Sequence, residues 1–559
     1  MKTNFLTRIC LIWGVFWGIL GFIIYFEGLL SWWYPSVLIV TAILLILIFI
    51  WFIRFKKNEP KKFFISLYQT LKKDKILTLL VILFVLMILF NLIGALAPEK
   101  EFDSLWYHLT LPKIWLQAHH VFFVHGGLFY YSAMPKLAEM LYGFTLTISQ
   151  NGILAKLLHF AFGIFWAILS YEILREFFSK KLSLLLTLVI YNLYLVSWLS
   201  STAYIDLIVA FFVAGALWSL IRYLKEEDTS YIYIMGLFMG FALSTKTYSL
   251  MMLAAISLIL IMKKDYRSFL KFIIISFLIS FPFYLFSFLA TGNPIYPIFS
   301  LTDISFPLWV YPALTYKGWL LKVWPIKLPG LLWRMLSYQF TPIFGLLLLL
   351  PFYLKKKENL LILLSIFLVF FFILWSFLPV WEPRYFFVIL PVVAVLVGFI
   401  LTKIRFRAFQ IAVGLLILVS VVYNGYLGYL FQKEAFPVVF GKESRNIYLE
   451  KNVAGTWFSF YDGGGYLQQT FSSEDKLLTV NYHNLFYVPV KFTDWSTMDD
   501  NSYFQSAAIL SAKLKENQIT YIAITQQDLS QWSGLKSQDL EQYFESVHQK
   551  GFSRVYKIK

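Results

Sequence analysis

The sequence predicts a polytopic α-helical membrane protein with a small α/β domain at its C-terminal end. Three observations predict it. Of 559 residues, 59% are hydrophobic, 20% aromatic and only 14% charged, and the mean hydropathy is +0.69. Soluble domains carry about 25% charged residues, so most of this surface is built to face lipid. Apolar runs long enough to span a bilayer recur from residue 9 to residue 430. Beyond 431 the composition changes, and 13 Lys+Arg are mixed with 14 Asp+Glu.

A spanning helix needs roughly 20 apolar residues. Candidate spans are 9–26, 34–54, 76–97, 153–174, 182–200, 204–222, 231–246, 248–262, 270–291, 337–354, 360–378, 385–402 and 408–430, about 13 transmembrane helices. The first run lacks a clean small-residue cleavage site and is followed by more spans, so it reads as a retained helix. The shorter stretch 135–149, interrupted by Lys136 and Glu139, is ambiguous.

Charge resolves it, because cytoplasmic loops are enriched in Lys and Arg. Segment 54–75 carries eight cations and reads as internal, which delivers residue 98 outside. If 135–149 does not cross, 25 Lys+Arg before residue 432 lie inside and 10 outside. If it crosses, the later clusters reverse. Residues 98–152 are therefore expected to form one external loop, with amphipathic helices in the interface. The N-terminus is then cytoplasmic and the C-terminal domain extracytoplasmic. The expected divisions are 1–75 (two helices and a basic loop), 76–431 (a transmembrane catalytic domain) and 432–559. In the last, strand-like runs appear at 453–461, 485–492, 519–525 and 552–558, and helical periodicity at 507–517 and 537–549.

The formal charge of +17 does not indicate nucleic acid, because the cations sit between apolar runs where they set topology. Cys10 is the only cysteine, so neither an intrachain disulfide nor a thiolate metal cluster can form.

Ionisable groups at a membrane boundary are costly and invite functional readings. Four places on the expected outer side qualify. The first is Glu101-Phe102-Asp103-Ser104-Leu105-Trp106-Tyr107-His108, with Lys113 following. Asp103 suits an N-cap as well as an active site, and His108 suits a buried structural hydrogen bond. The second is Tyr204 and Asp206 at the start of a span, where the helix dipole also favours a carboxylate. The third is Lys246 in Ser244-Thr245-Lys246-Thr247-Tyr248, suited to a lipid-linked phosphate or to snorkelling. The fourth is Trp381-Glu382-Pro383-Arg384-Tyr385, where Arg384 can hold a phosphate bidentately or anchor the interface with Tyr385. Together they place two carboxylates and two cations at one membrane face. A carboxylate can deprotonate an acceptor hydroxyl, and cations or a metal can stabilise a departing phosphate.

This arrangement resembles the GT-C class of membrane glycosyltransferases, which includes protein O-mannosyltransferases and lipid A aminoarabinose transferases. The resemblance covers roughly 76–431. It rests on Phe102-Asp103 soon after a span, the amphipathic segment Met134-Pro135-Lys136-Leu137, the second acid Asp206, Arg384-Tyr385 with Pro391, and the external domain. Tyr107-His108-Leu109, Pro112-Lys113 and Gly292-Asn293-Pro294-Ile295-Tyr296-Pro297 are similar to segments of bacterial members. Asp103 is followed by Ser104 where many relatives have an acidic pair.

The resemblance implies an inverting transferase of the bacterial inner or plasma membrane, using a polyprenyl-phosphate-linked sugar donor. It maps the catalytic base, or a metal-linked carboxylate, onto Asp103. It maps a metal or donor-phosphate role onto Asp206, and donor-phosphate binding onto Lys246, Arg384 and Tyr385. His108, Lys113 and Tyr204 are supporting. A divalent metal at Asp103 and Asp206 is the one cofactor it suggests. Two rival readings are a polysaccharide polymerase or ligase with a diphosphate-linked donor, using loop 292–336, and a non-enzymatic lipid or solute transporter. A transporter is expected to carry paired charges near the midplane and an internal repeat, and neither is visible.

Overall fold

The computed structural model describes residues 3–52, 59–297, 324–337, 340–377, 382–456, 458–472, 474–497, 506–524, 537–550 and 552–559. Most of segment 292–336 and Trp381 lie outside them. Among the described residues, eight helices are long and apolar enough to cross a membrane: Phe5–Leu29, Lys75–Leu96, Ile153–Arg175, Asp206–Glu226, Tyr266–Thr291, Asn359–Ser376, Pro383–Lys403 and Arg407–Gln432. The expected span 182–200 is two helices, Lys180–Tyr191 and Tyr194–Ser200, bent by 68°. Asn192 lies at the break, and its side chain donates to the Val421 carbonyl at 2.6 Å. The other four expected spans fall on shorter apolar helices, Pro35–Trp51, Ser230–Thr245, Ser249–Met262 and Pro342–Tyr353.

Side chains that satisfy free helix N–H groups mark several starts. Asn4 accepts from Thr7 N at 2.9 Å, Asp74 from Leu77 N at 3.1 Å, and Asp265 from Ser268 N at 3.0 Å. Burial then sorts the helices into layers. Asp206–Glu226 and Pro383–Lys403 are almost wholly enclosed, whereas Lys75–Leu96, Tyr266–Thr291 and Arg407–Gln432 expose Leu, Ile, Val and Phe outward. Asp206–Glu226 packs on Ser230–Thr245 and Ile153–Arg175. Gly215 permits this approach, since a Cβ there would collide with the Phe238 ring.

The segment 98–152 is compact. It holds a π-turn at Ser104–His108, a helix at Thr110–Ala118, a 3-10 turn at Tyr130–Ala133 and a helix at Leu137–Ile148. The last is short, as expected, but it does not lie free in an interface. Residues 137–143 are buried against Phe5–Leu29 and Thr110–Ala118. Its apolar residues surround the helix, so it gains more from enclosure by protein than from one-sided contact with lipid.

After residue 476 a five-stranded sheet forms from β1 (Leu477–Val480), β2 (Phe492–Asp494), β3 (Tyr521–Ile524), β4 (Phe544–Lys550) and β5 (Ser553–Ile558). Its order is β2-β1-β3-β5-β4. β1 is parallel to β2 and β3, and β5 is antiparallel to β3 and β4. Helices Ala507–Glu516 and Ser537–Tyr543 cover it through Leu510, Leu514 and Leu540 on Leu478, Ile522 and Phe544.

The periodicity at 507–517, 519–525 and 552–558 falls on one helix and two strands. Elsewhere the expectation is corrected. The described residues of 453–461 form no strand. Glu450–Ala454 is a π-turn, and only Ser459 makes an isolated bridge, to Asn484. Residues 485–492 are irregular until β2 begins at Phe492, because their apolar side chains pack on the first loop instead of pairing in the sheet. Helix 537–549 stops at Tyr543, where β5 captures the chain as β4.

Candidate active site

The acids and cations singled out in the sequence converge. Arg384 opens the Pro383–Lys403 helix, and its Nη1 lies 2.7 Å from Asp103 Oδ2 and 3.9 Å from Asp206 Oδ2. Its Nε lies 4.0 Å from Glu382 Oε2. The guanidinium stacks over Tyr204 at 5.0 Å and Tyr385 at 5.6 Å. One planar cation thus joins residues 103 and 206, carried by different elements, on an aromatic floor.

Asp103 sits at the mouth of the π-turn and makes no side-chain cap. Its backbone N–H donates to Tyr204 Oη at 3.3 Å, and Tyr107 Oη donates to Asp103 Oδ2 at 3.4 Å. Lys246 Nζ donates to the same Tyr107 hydroxyl at 3.4 Å, so the second cation reaches the acid through a phenol. Lys246 ends the Ser230–Thr245 helix. Tyr107 stacks flat on Tyr131, centroids 3.7 Å apart.

Asp206 starts its helix and is fully buried. Oδ1 accepts from Tyr248 Oη at 3.4 Å, while Oδ2 has no hydrogen bond. The expected dipole position is therefore correct, but this carboxylate points at Arg384 instead of capping its own helix. His159 does the capping: its Nε2 accepts from Leu207 N at 3.0 Å.

The supporting residues divide. Tyr204 is inside the cluster. His108 is fully buried, with Nδ1 2.7 Å from Glu139 Oε1, and burial holds its imidazole well below its usual pKa. Lys113 lies outside the cluster. Its Nζ donates to the carbonyls of Phe486, at 2.8 Å, and Val488. The same contact zone has the amides of Leu485 and Phe486 donating to the Leu105 carbonyl at 3.2 and 3.3 Å. Tyr487 Oη donates to the Glu99 carbonyl at 2.8 Å. Residues 485–488 thus hold the loop that carries Asp103.

Sequence reasoning passed over Glu99, Tyr107, Glu139, His159 and Tyr248 as individuals. Glu99 is fully buried and accepts from the amides of Lys100 at 2.8 Å, Glu101 at 2.9 Å and Ala203, joining the first loop to the turn before Asp206. A usable signal existed for Glu139 and His159, since each is a polar residue within an apolar run.

Asp103 and Asp206, the two acids expected to hold a divalent metal, both face the Arg384 guanidinium. Arg384 already compensates both carboxylates, and among the described residues no group of three His, Cys, Asp or Glu side chains could hold an ion.

The helical architecture aligns with crystal structures of ArnT from Cupriavidus metallidurans. The apo form aligns with TM-score 0.56 and 14% identity, over 85% of this chain and 97% of that one. The form bound to undecaprenyl phosphate aligns with TM-score 0.50 and 12% identity, with the same coverage. The chain has the fold of the GT-C membrane glycosyltransferases. Residues 134–290 also match the dolichyl-phosphate-mannose-protein mannosyltransferase family. No curated protein sequence matches the chain. Within the GT-C fold, the family match ends before Arg384 and begins after Asp103, so the two ends of the closest ion pair in the cluster come from outside it.

Proposed function

We propose that this protein transfers a sugar from a polyprenyl-phosphate donor to an acceptor hydroxyl at the outer face of a membrane, with inversion at the anomeric carbon. The observation that carries the reading is the placement of Arg384 between Asp103 and Asp206. The match to polyprenyl-type mannosyltransferases and the likeness to ArnT bound to undecaprenyl phosphate support the donor class.

In this reading the donor phosphate competes with Asp103 for Arg384, so donor binding loosens the ion pair. Asp103 then takes the proton of the acceptor hydroxyl. The acceptor oxygen attacks the anomeric carbon from the face opposite the phosphate, and the bond between that carbon and the phosphate oxygen breaks. The electron pair leaves on the polyprenyl phosphate, stabilised by Arg384 and Lys246. Asp206 returns Arg384 to its place. The charge pattern supports thirteen crossings, a cytoplasmic N-terminus and an outer C-terminal α/β domain.

The test is Asp103→Asn in the purified protein supplied with a polyprenyl-phosphate sugar. Turnover should fall about 100-fold or more while binding of polyprenyl phosphate persists. Wild-type turnover in that variant rejects Asp103 as the base.

A further inference from the structure

The helix Glu59–Lys73 carries four lysines that the catalytic reading leaves unused. It has no buried residue along its 15 positions. Phe64 is 62% exposed, Tyr68 67% and Ile65 46%, and Lys61, Lys62, Lys72 and Lys73 are all exposed. At helical spacing Phe64, Ile65 and Tyr68 share one flank, with Lys61 and Lys72 beside them and Lys62 and Lys73 on the adjoining side. Such a face costs free energy in water. It is satisfied where hydrocarbon meets anionic headgroups.

The helix is also fixed at the right height. Glu59 pairs with Arg8, and Phe63 packs on Phe5 with centroids 5.0 Å apart, both at the start of Phe5–Leu29. Thr78 Oγ1 donates to the Leu71 carbonyl at 2.6 Å, at the start of Lys75–Leu96. Asp74, which caps that helix, pairs with Lys181 at 3.0 Å, at the start of Lys180–Tyr191. Three apolar helices therefore begin where this helix lies, so it runs at the level where the apolar layer ends. Its outer flank is turned away from all three.

We propose that Glu59–Lys73 is a binding surface for anionic phospholipid, with its lysines on the headgroup phosphates and Phe64, Ile65 and Tyr68 among the upper acyl carbons. The partner is the leaflet at this face of the protein, not a soluble anion. Four lysines on one short helix favour an anionic headgroup over a zwitterionic one by charge, while the aromatic flank supplies contact that does not depend on headgroup. The surface is independent of the sugar-transfer reading.

The test uses the full-length protein reconstituted in bilayers of phosphatidylcholine and phosphatidylglycerol, extracted in mild detergent, with retained phospholipid quantified. Wild type should retain phosphatidylglycerol about fivefold or more above its bilayer share. Combining Lys61→Gln, Lys62→Gln, Lys72→Gln and Lys73→Gln should bring retention to within about twofold of that share. The four Lys→Arg replacements should keep the enrichment, which separates loss of charge from loss of fold. Phe64→Ser with Tyr68→Ser should lower retention of both lipids while leaving their ratio unchanged. The proposal is overturned if the glutamine variant keeps the wild-type enrichment. It is equally overturned if inorganic phosphate abolishes the enrichment, or if replacing Lys355, Lys356 and Lys357 by Gln removes it as completely.

Discussion

Arg384 Nη1 rests 2.7 Å from Asp103 Oδ2, closer than any other charged group among the described residues comes to that acid. That carboxylate oxygen is occupied by the ion pair until its partner is drawn off. The same guanidinium reaches toward Asp206 at 3.9 Å, so a departing Arg384 has a second acid to return to.

Removing Arg384 is therefore expected to damage the site more than removing Asp206. Arg384→Gln leaves Asp103 and Asp206 without their shared cation and the donor phosphate without its ligand. Turnover should fall about 10²–10³-fold, the scale seen when one preorganised charge-stabilising donor is lost. Arg384→Lys should recover part of it, since a point charge replaces a planar fork. Single-turnover transfer from a polyprenyl-phosphate sugar reads both.

Asp206→Asn tests the second acid, and Tyr248→Phe the hydrogen bond at 3.4 Å that supports it. The asparagine keeps shape and loses charge, so Arg384 is held less firmly and turnover should drop at least about tenfold. The phenylalanine removes one long, weak bond and should cost less than about tenfold. Equal losses in the two variants overturn the assignment.

Lys113→Met separates scaffold from chemistry. The lysine holds the Phe486 and Val488 carbonyls, not the acid cluster. The variant should lose about 1–3 kcal/mol of stability. It should expose the chain after residue 432 to protease while affinity for polyprenyl phosphate is unchanged. A Kd shift as large as that of Arg384→Gln overturns this.

The C-terminal sheet carries its own pH signature. Asp494 is buried at the end of β2, which pushes its carboxyl up to about 6 from 3.8, although Ser496 and Thr479 hydrogen-bond to it. The folded state then holds a proton that the unfolded state has released between those values, so stability falls as pH rises through that window. The loss should approach about 2–3 kcal/mol above pH 6. Asp494→Asn should flatten the slope. Hydrogen exchange at the β1 amides, compared at pH 4 and pH 6.5, measures it.

Much of the transmembrane architecture was legible because the bilayer imposes a crude rule: length and apolarity mark a crossing. That rule located the eight long helices, and it was least informative for segments near its threshold. The bend at Asn192 and the burial of Leu137–Ile148 depend on neighbours distant in sequence, which a local window cannot see. In the C-terminal region, apolar runs such as 485–492 read as strands because alternation records burial without recording which surface does the burying.

At the site, residue types and positions along the chain were enough to single out Asp103, Asp206, Lys246 and Arg384, because charge beside an apolar span is expensive and stands out. Their relationship was not. Only the tertiary structure decided that Arg384 lies between the two acids, that Lys246 reaches Asp103 through Tyr107, and that Lys113 serves the loop instead of the cluster. The physical reason is range: the cost of leaving a charge in hydrocarbon is paid residue by residue, whereas the partner that relieves it is chosen by packing among segments hundreds of residues apart.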